Sequence, residues 1–133
     1  MKYFVDTSAF FALLDRDDKN HPVAERILRK LFENDTVLIT SNYVLVESFA
    51  LIQRRLGMDA LRVFQTNMTP VVRVEFVSSE LHRLGVSAVL SASRRNLSLV
   101  DCVSFEIMRF LSIQSVFTFD DHFREQGFDL ATT

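Results

Sequence analysis

The residues of this chain whose types and setting could do chemistry are acidic. Asp6, Glu47, Asp101 and the pair Asp120–Asp121 each sit inside or directly against an apolar run. Asp6 closes the β-type run KYFV, and Glu47 lies within YVLVESFAL (43–51). Asp101 lies within SLVDCVSF (98–105), and Asp120–Asp121 follow VFTF. A carboxylate among apolar neighbours is costly to bury without a partner. Helical spacing gives Glu47 none, since Tyr43, Val44, Ala50 and Leu51 surround it one turn away, and Arg54 and Arg55 are two turns on. If these acids gather, each pair about 4 Å apart repels by about 4 kcal/mol at an effective dielectric of 20. No neighbouring cluster of lysines or arginines offsets that charge. The acids then share protons or hold a hard divalent cation. Oxygen ligands without a Cys/His set favour Mg²⁺ or Mn²⁺ over zinc. Such a site suits phosphodiester hydrolysis, because a bound ion activates water and absorbs charge developing on phosphate oxygens.

The elements that must position these acids alternate. Apolar runs at 2–5, 37–40, 71–76 and 116–119 predict strands, with a short edge strand at 128–131. Between them, 3.6-residue periodicity predicts helices over 9–14, 22–34, 42–56, 59–68, 79–93 and 99–111. Pro22 suits a first helical turn, Ser41 or Asn42 and then Ser98 suit N-caps, and Gly57 suits a helix stop. Alternation of this kind implies a mostly parallel sheet with helices on both faces. Right-handed crossovers bring acids at strand ends, and acids early in the following helices, to one edge of the sheet. Asp6 and Ser8 are also natural helix caps, so either can serve the backbone, the site, or both.

Composition narrows the classes. The chain has 133 residues, 48% hydrophobic and 24% charged, within the range of one globular domain. A net charge of −2 gives no global positive field for nucleic acid, so an anionic substrate needs local arginines or a cation. Arg54, Arg55, Arg62, Arg83, Arg94 and Arg95 are read as solvated charges, individually weak as phosphate contacts. The single cysteine, Cys102, excludes an internal disulfide and is read as a small buried hydrophobe. His21 is expected to hydrogen-bond at a helix entry, and His122 to be a surface or capping residue rather than a general base. Lys2 and the following apolar run resemble a signal peptide only faintly, because Asp6 interrupts it and no small-residue cleavage pattern follows. With no run of about 18 apolar residues, the expected setting is soluble and cytoplasmic.

Several acid-bearing classes are excluded by residues. DRDDKN (15–20) has a lysine where a calcium loop needs a ligand, and lacks its glycine and final glutamate. Asp6-Thr7-Ser8 lacks the second aspartate of a haloacid-dehalogenase phosphatase. All lysines fall at 2, 19 and 30, so the late-strand lysine of a receiver domain is missing. Phe10 stands where a metal-adhesion site needs its last serine.

VDTSAF (5–10), VLVESFALIQRR (44–55), SLVDCVSF (98–105) and TFDDHF (118–123) resemble, in order and spacing, the motifs of the PIN-domain nuclease family. The likeness is strongest to the VapC-type toxins of bacterial and archaeal toxin–antitoxin pairs, and it spans essentially the whole chain. It implies a single PIN-like domain over 1–133, a three-layer α/β/α sandwich whose central, mostly parallel sheet has four to five strands. By the same resemblance Asp6, Glu47, Asp101 and Asp120 match the first to fourth acids, which hold Mg²⁺ or Mn²⁺ for cleavage of single-stranded RNA. Ser8 and Thr118 match supporting hydroxyl positions. Either aspartate of the last pair could face the metal; motif register favours Asp120, with Asp121 supporting it or capping a helix. The implied partners are RNA, a cognate antitoxin and a second copy of the chain. The alternative is a PIN-like module that binds RNA or protein without cutting; four acids kept together argue against it.

Overall fold

The protein is described here from a computed structural model covering all 133 residues. Its strands are β1 (Lys2–Val5), β2 (Val37–Ser41), β3 (Arg73–Glu75), β4 (Ser115–Phe117) and β5 (Asp129–Leu130). Its helices are α1 (Thr7–Leu14), α2 (His21–Glu33), α3 (Asn42–Leu56), α4 (Met58–Val63), α5 (Ser79–Ala92), α6 (Leu99–Phe110) and α7 (His122–Glu125). All four strand pairings are parallel, and the order across the sheet is β3-β2-β1-β4-β5. This is the PIN-like α/β/α arrangement expected from the sequence.

The chain's own chemistry explains most boundaries. Ser41 and Ser78 accept the backbone N–H of Val44 and Leu81, each at 3.1 Å, and so start α3 and α5. Gly57, at φ +92°, takes a conformation that opens no clash only for glycine, and it stops α3 where the sequence implied. Three expected elements differ. The helix expected over 59–68 stops as an α-helix at Val63 and continues as a π-type turn, Phe64–Met68. The strand expected over 71–76 is shortened to Arg73–Glu75, because Pro70 sits in a 3₁₀ turn, Thr69–Val71, that occupies its start. The strand expected over 116–119 runs from Ser115 and ends at Phe117, which leaves Thr118 free of ladder bonds for other work.

Packing is dominated by β1, β4 and α6, whose Phe4, Val5, Val116, Phe117, Val103 and Ile107 are essentially solvent-free. Each such side chain contributes about 1.5–3 kcal/mol of burial. Around Phe105 of α6, the rings of Phe123 and Phe128 lie with centroids at 4.9 and 6.1 Å. Phe64, from the π-type turn, meets Phe10 and Phe49 edge-on at 5.2 and 5.4 Å. That contact gives the irregular turn its reason, since it delivers one aromatic into the α1–α3 seam.

Candidate metal centre

β1 and β4 are neighbours, yet β1 leads away to β2 on one side and β4 to β5 on the other. Divergent connections open a crevice beyond the carboxyl ends of the two strands, where open α/β sheets take their ligands. Asp6 and the segment 118–120 flank it, stitched by the Asp6 backbone N–H donating to Phe117 O at 3.1 Å.

Asp6 is 3% exposed and caps α1, so the structural role and a site role coincide in one side chain. Its Oδ2 accepts from Ser8 Oγ and from Thr118 Oγ1, both at 3.0 Å, and more weakly from Ser8 N–H at 3.4 Å. Those hydroxyls are held in turn: Ser8 Oγ accepts Phe119 N–H at 2.9 Å, and Thr118 Oγ1 accepts Asp120 N–H at 3.0 Å. The other oxygen of Asp6 accepts none of these. Burial, and then the negative charge of Asp101, push the Asp6 carboxyl up to about 6 against the hydroxyl bonds that favour its charge.

Asp101 is the third residue of α6 and forms a reciprocal capping box with Ser98. The Ser98 N–H donates to Asp101 Oδ2 at 3.1 Å, and the Asp101 N–H donates to Ser98 Oγ at 3.0 Å. Even so, burial raises its pKa, the Ser98 N–H opposes that, and the charges of Asp120 and Glu47 add to the rise. Glu47, in the second turn of α3, is half-buried and also raised, by burial first and then by Asp6 and Asp120, with the Thr7 hydroxyl opposing. The apolar ring expected around it is only partial, because Val46 is 69% exposed and Ser48 lies fully buried beside it. Asp6, Glu47 and Asp101 are thus each raised in part by another acid of the set, and no lysine or arginine forms an ion pair with any of the four.

The aspartate pair separates cleanly. Asp120 turns inward and accepts His122 N–H on Oδ1 at 3.0 Å, whereas Asp121 is 78% exposed and pairs with Arg124 at 2.7 Å. Asp121 precedes α7 but makes no side-chain cap bond, so the capping role expected of it is absent.

His122 overturns its expectation too. The side chain is 12% exposed, and its Nδ1 stands 3.1 Å from Asp120 Oδ1 and 3.6 Å from Asp101 Oδ2. That nitrogen is buried and makes no directed hydrogen bond. Ligand atoms of Asp101, Asp120 and His122 all lie within 4.8 Å of one another, a grouping that does not include Asp6 or Glu47. Reasoning from sequence missed this inward histidine, and with it Thr7 and Ser48, whose hydroxyls meet at 3.3 Å beside Glu47. The available signal was position: His122 follows Asp120 by two, so one tight turn returns its ring toward the same pocket. His21 and Cys102 are placed as expected. His21 Nδ1 lies 2.7 Å from Ala12 O at the start of α2, and Cys102 is buried.

Crowded carboxylates without a cation, and a buried nitrogen without a partner, form a donor set suited to a divalent metal. The PIN domain family model matches residues 3–129. The chain belongs to the PIN-domain family. Its VapC-type character follows from its relatives, for it is 36% identical over 126 residues to the 23S rRNA-specific endonuclease VapC20 of Mycobacterium tuberculosis strain CDC 1551 / Oshkosh, covering 94% of each chain. The VapC20 of strain ATCC 25618 / H37Rv matches to the same extent. The crystal structure of M. tuberculosis VapC20, described as a sarcin–ricin-loop-cleaving toxin, superposes with a TM-score of 0.86 at 34% identity, covering 98% of this chain and 99% of that one.

Proposed function

We propose that this protein is a metal-dependent endoribonuclease, the toxin of a toxin–antitoxin pair, acting as a single PIN-like domain with Asp6, Glu47, Asp101 and Asp120 as its metal-holding and catalytic acids. The observation that carries the proposal is the convergence of these acids on one crevice, where burial and mutual repulsion raise Asp6, Glu47 and Asp101 and no lysine or arginine pairs with them. Bound there, Mg²⁺ or Mn²⁺ would supply Lewis-acid charge for the scissile phosphate and a more acidic water.

The chain's residues do the remaining work. Ser8 and Thr118 fix the Asp6 carboxylate by holding Oδ2, and Ser98 fixes Asp101. Glu47 is half-buried with its acidity weakened, so it is suited to take a proton from the attacking water. The Thr118–Asp120 turn, braced by its own hydroxyl, keeps the fourth acid facing the crevice. Asp121 is left out of this set. Backbone phosphates of RNA flanking the cut can meet Arg54 and Arg95, which are exposed and carry no ion pair. Arg62, Arg83 and Arg94 are already paired with Asp59, Glu80 and Glu125.

The likeness to VapC20 proposes a hairpin of ribosomal RNA as the substrate. A cognate antitoxin and a second copy of the chain are the proposed partners, and the cytoplasm the proposed location. No helix is long and apolar enough to cross a membrane. The test is cleavage of a labelled ribosomal RNA hairpin with Mg²⁺ or Mn²⁺, beside Asp6→Asn and Asp101→Asn. Metal-dependent cutting by the wild type, lost in both variants, is expected. An inert wild type would favour the non-cutting RNA- or protein-binding module, and variants that cut equally well would overturn the carboxylate mechanism.

A further inference from the structure

We infer that His122 is a ligand of the ion held by Asp101 and Asp120, which makes the centre a mixed nitrogen–oxygen site that prefers Mn²⁺ to Mg²⁺. The inference rests on the metal-site reading above and departs from an all-carboxylate set. Three observations carry it. His122 Nδ1 is buried and aimed between two carboxylates, at 3.1 Å from Asp120 Oδ1 and 3.6 Å from Asp101 Oδ2. It makes no directed hydrogen bond to either, although the backbone N–H of the same residue does bond to Asp120 Oδ1, at 3.0 Å. Both carboxylate oxygens are anchored through backbone N–H groups, of His122 and of Ser98, so the pocket is built rather than incidental.

The spacing fits coordination. Adjacent ligands of an octahedral ion with bonds of about 2.1 Å stand about 3 Å apart, and opposite ones about 4.2 Å. The two distances from His122 Nδ1, 3.1 and 3.6 Å, fall between these values, and all three ligand atoms lie within 4.8 Å of one another. A purely structural histidine would instead direct Nδ1–H at one oxygen. With its lone pair toward the pocket, an imidazole nitrogen facing two carboxylate oxygens is repelled until a cation lies between them. Imidazole nitrogen binds Mg²⁺ poorly and later first-row ions better, so one nitrogen in the set tilts selectivity toward Mn²⁺. The other two histidines are engaged elsewhere, His21 with Ala12 O and Glu25, and His82 with the Tyr43 hydroxyl at 2.6 Å.

The experiment loads the full chain with Mn²⁺ alone and measures electron spin-echo modulation. Wild type is expected to show the nitrogen coupling of one directly bound imidazole, which ¹⁵N-histidine labelling shifts and His122→Gln abolishes. Calorimetric titration is expected to show Mn²⁺ affinity falling at least about 10-fold in His122→Gln, with Mg²⁺ affinity changing less. His122→Asn serves as the second variant, and thermal melts check that both fold. Mn²⁺ binding without nitrogen coupling, or equal losses for the two ions, overturns the inference while leaving the nuclease reading intact. Absence of Mn²⁺ binding overturns the inference, and absence of binding of either ion overturns both.

Discussion

Asp101 and Phe105 are one helical turn apart on α6 and live under opposite physics. Around Phe105 everything attracts: its ring packs on Phe123 and Phe128, while Val103 beside it closes on Gly85 of α5. Around Asp101 the main long-range force repels, since Asp6, Glu47 and Asp120 share its crevice and the fold supplies no lysine or arginine to balance them. The body of α6 is the anchor that holds its first turn in an unfavourable place. A centre that opposes folding has to be carried on elements fixed elsewhere, and a metal can then recover what the apo fold gives up.

The anchor end breaks hardest. Phe105→Ala removes a side chain that is 3% exposed and is expected to cost about 3–5 kcal/mol in denaturant melts. A loss below about 1 kcal/mol would mean the aromatic cluster is not what anchors the helix.

The acidic end should break in the other direction. The Asp6 carboxyl is raised from 3.8 to about 6, so between those values the native state binds the extra proton and stability falls as pH rises. Metal-free protein should therefore melt higher at pH 5 than at pH 7.5. In EDTA at pH 7.5, Asp6→Asn should gain stability, by up to about 3 kcal/mol, and flatten that pH profile. Its amide oxygen still accepts from Ser8 and Thr118, while added Mn²⁺ should stabilise the wild type and not the variant. Melting curves at two pH values with and without metal check all three statements.

A smaller effect tests the seam between the two regimes. A Cβ on Gly85 would lie 2.4 Å from Val103 Cγ2, so Gly85→Ala is expected to cost about 1–3 kcal/mol while leaving metal affinity unchanged. The smallest change expected is Thr118→Val. It deletes the hydroxyl that braces Asp6 and the Asp120 turn, and should lower metal affinity about 10-fold with melting temperature nearly constant.

Much of the anchor end was legible from periodicity, because apolar spacing on α6 and β-type runs at 2–5 and 116–119 report burial directly. The acids were legible as misfits, charged groups in runs that should have none. What escaped depends on contacts between distant segments. Pro70 trimmed β3, and Phe64 drew a π-type turn into the α1–α3 seam, which no local propensity encodes. His122 escaped because a histidine at a helix start reads as a cap until the turn before it is known. Asp121 was ambiguous for the same reason, and Arg124 one turn on was the missing clue.

The bond from Thr118 to Asp6 and the contact between the Ser8 and Thr118 hydroxyls join residues 112 and 110 positions apart, across the β1–β4 pairing. During synthesis, Asp6 and Glu47 leave the ribosome long before β4 exists to meet them. A chain that has reached only Glu47 thus carries half of the acids, and of the two hydroxyls that hold Asp6 it has only that of Ser8. The acidic crevice is completed only when β4 pairs with β1, so its assembly waits on one of the longest-range contacts in the fold.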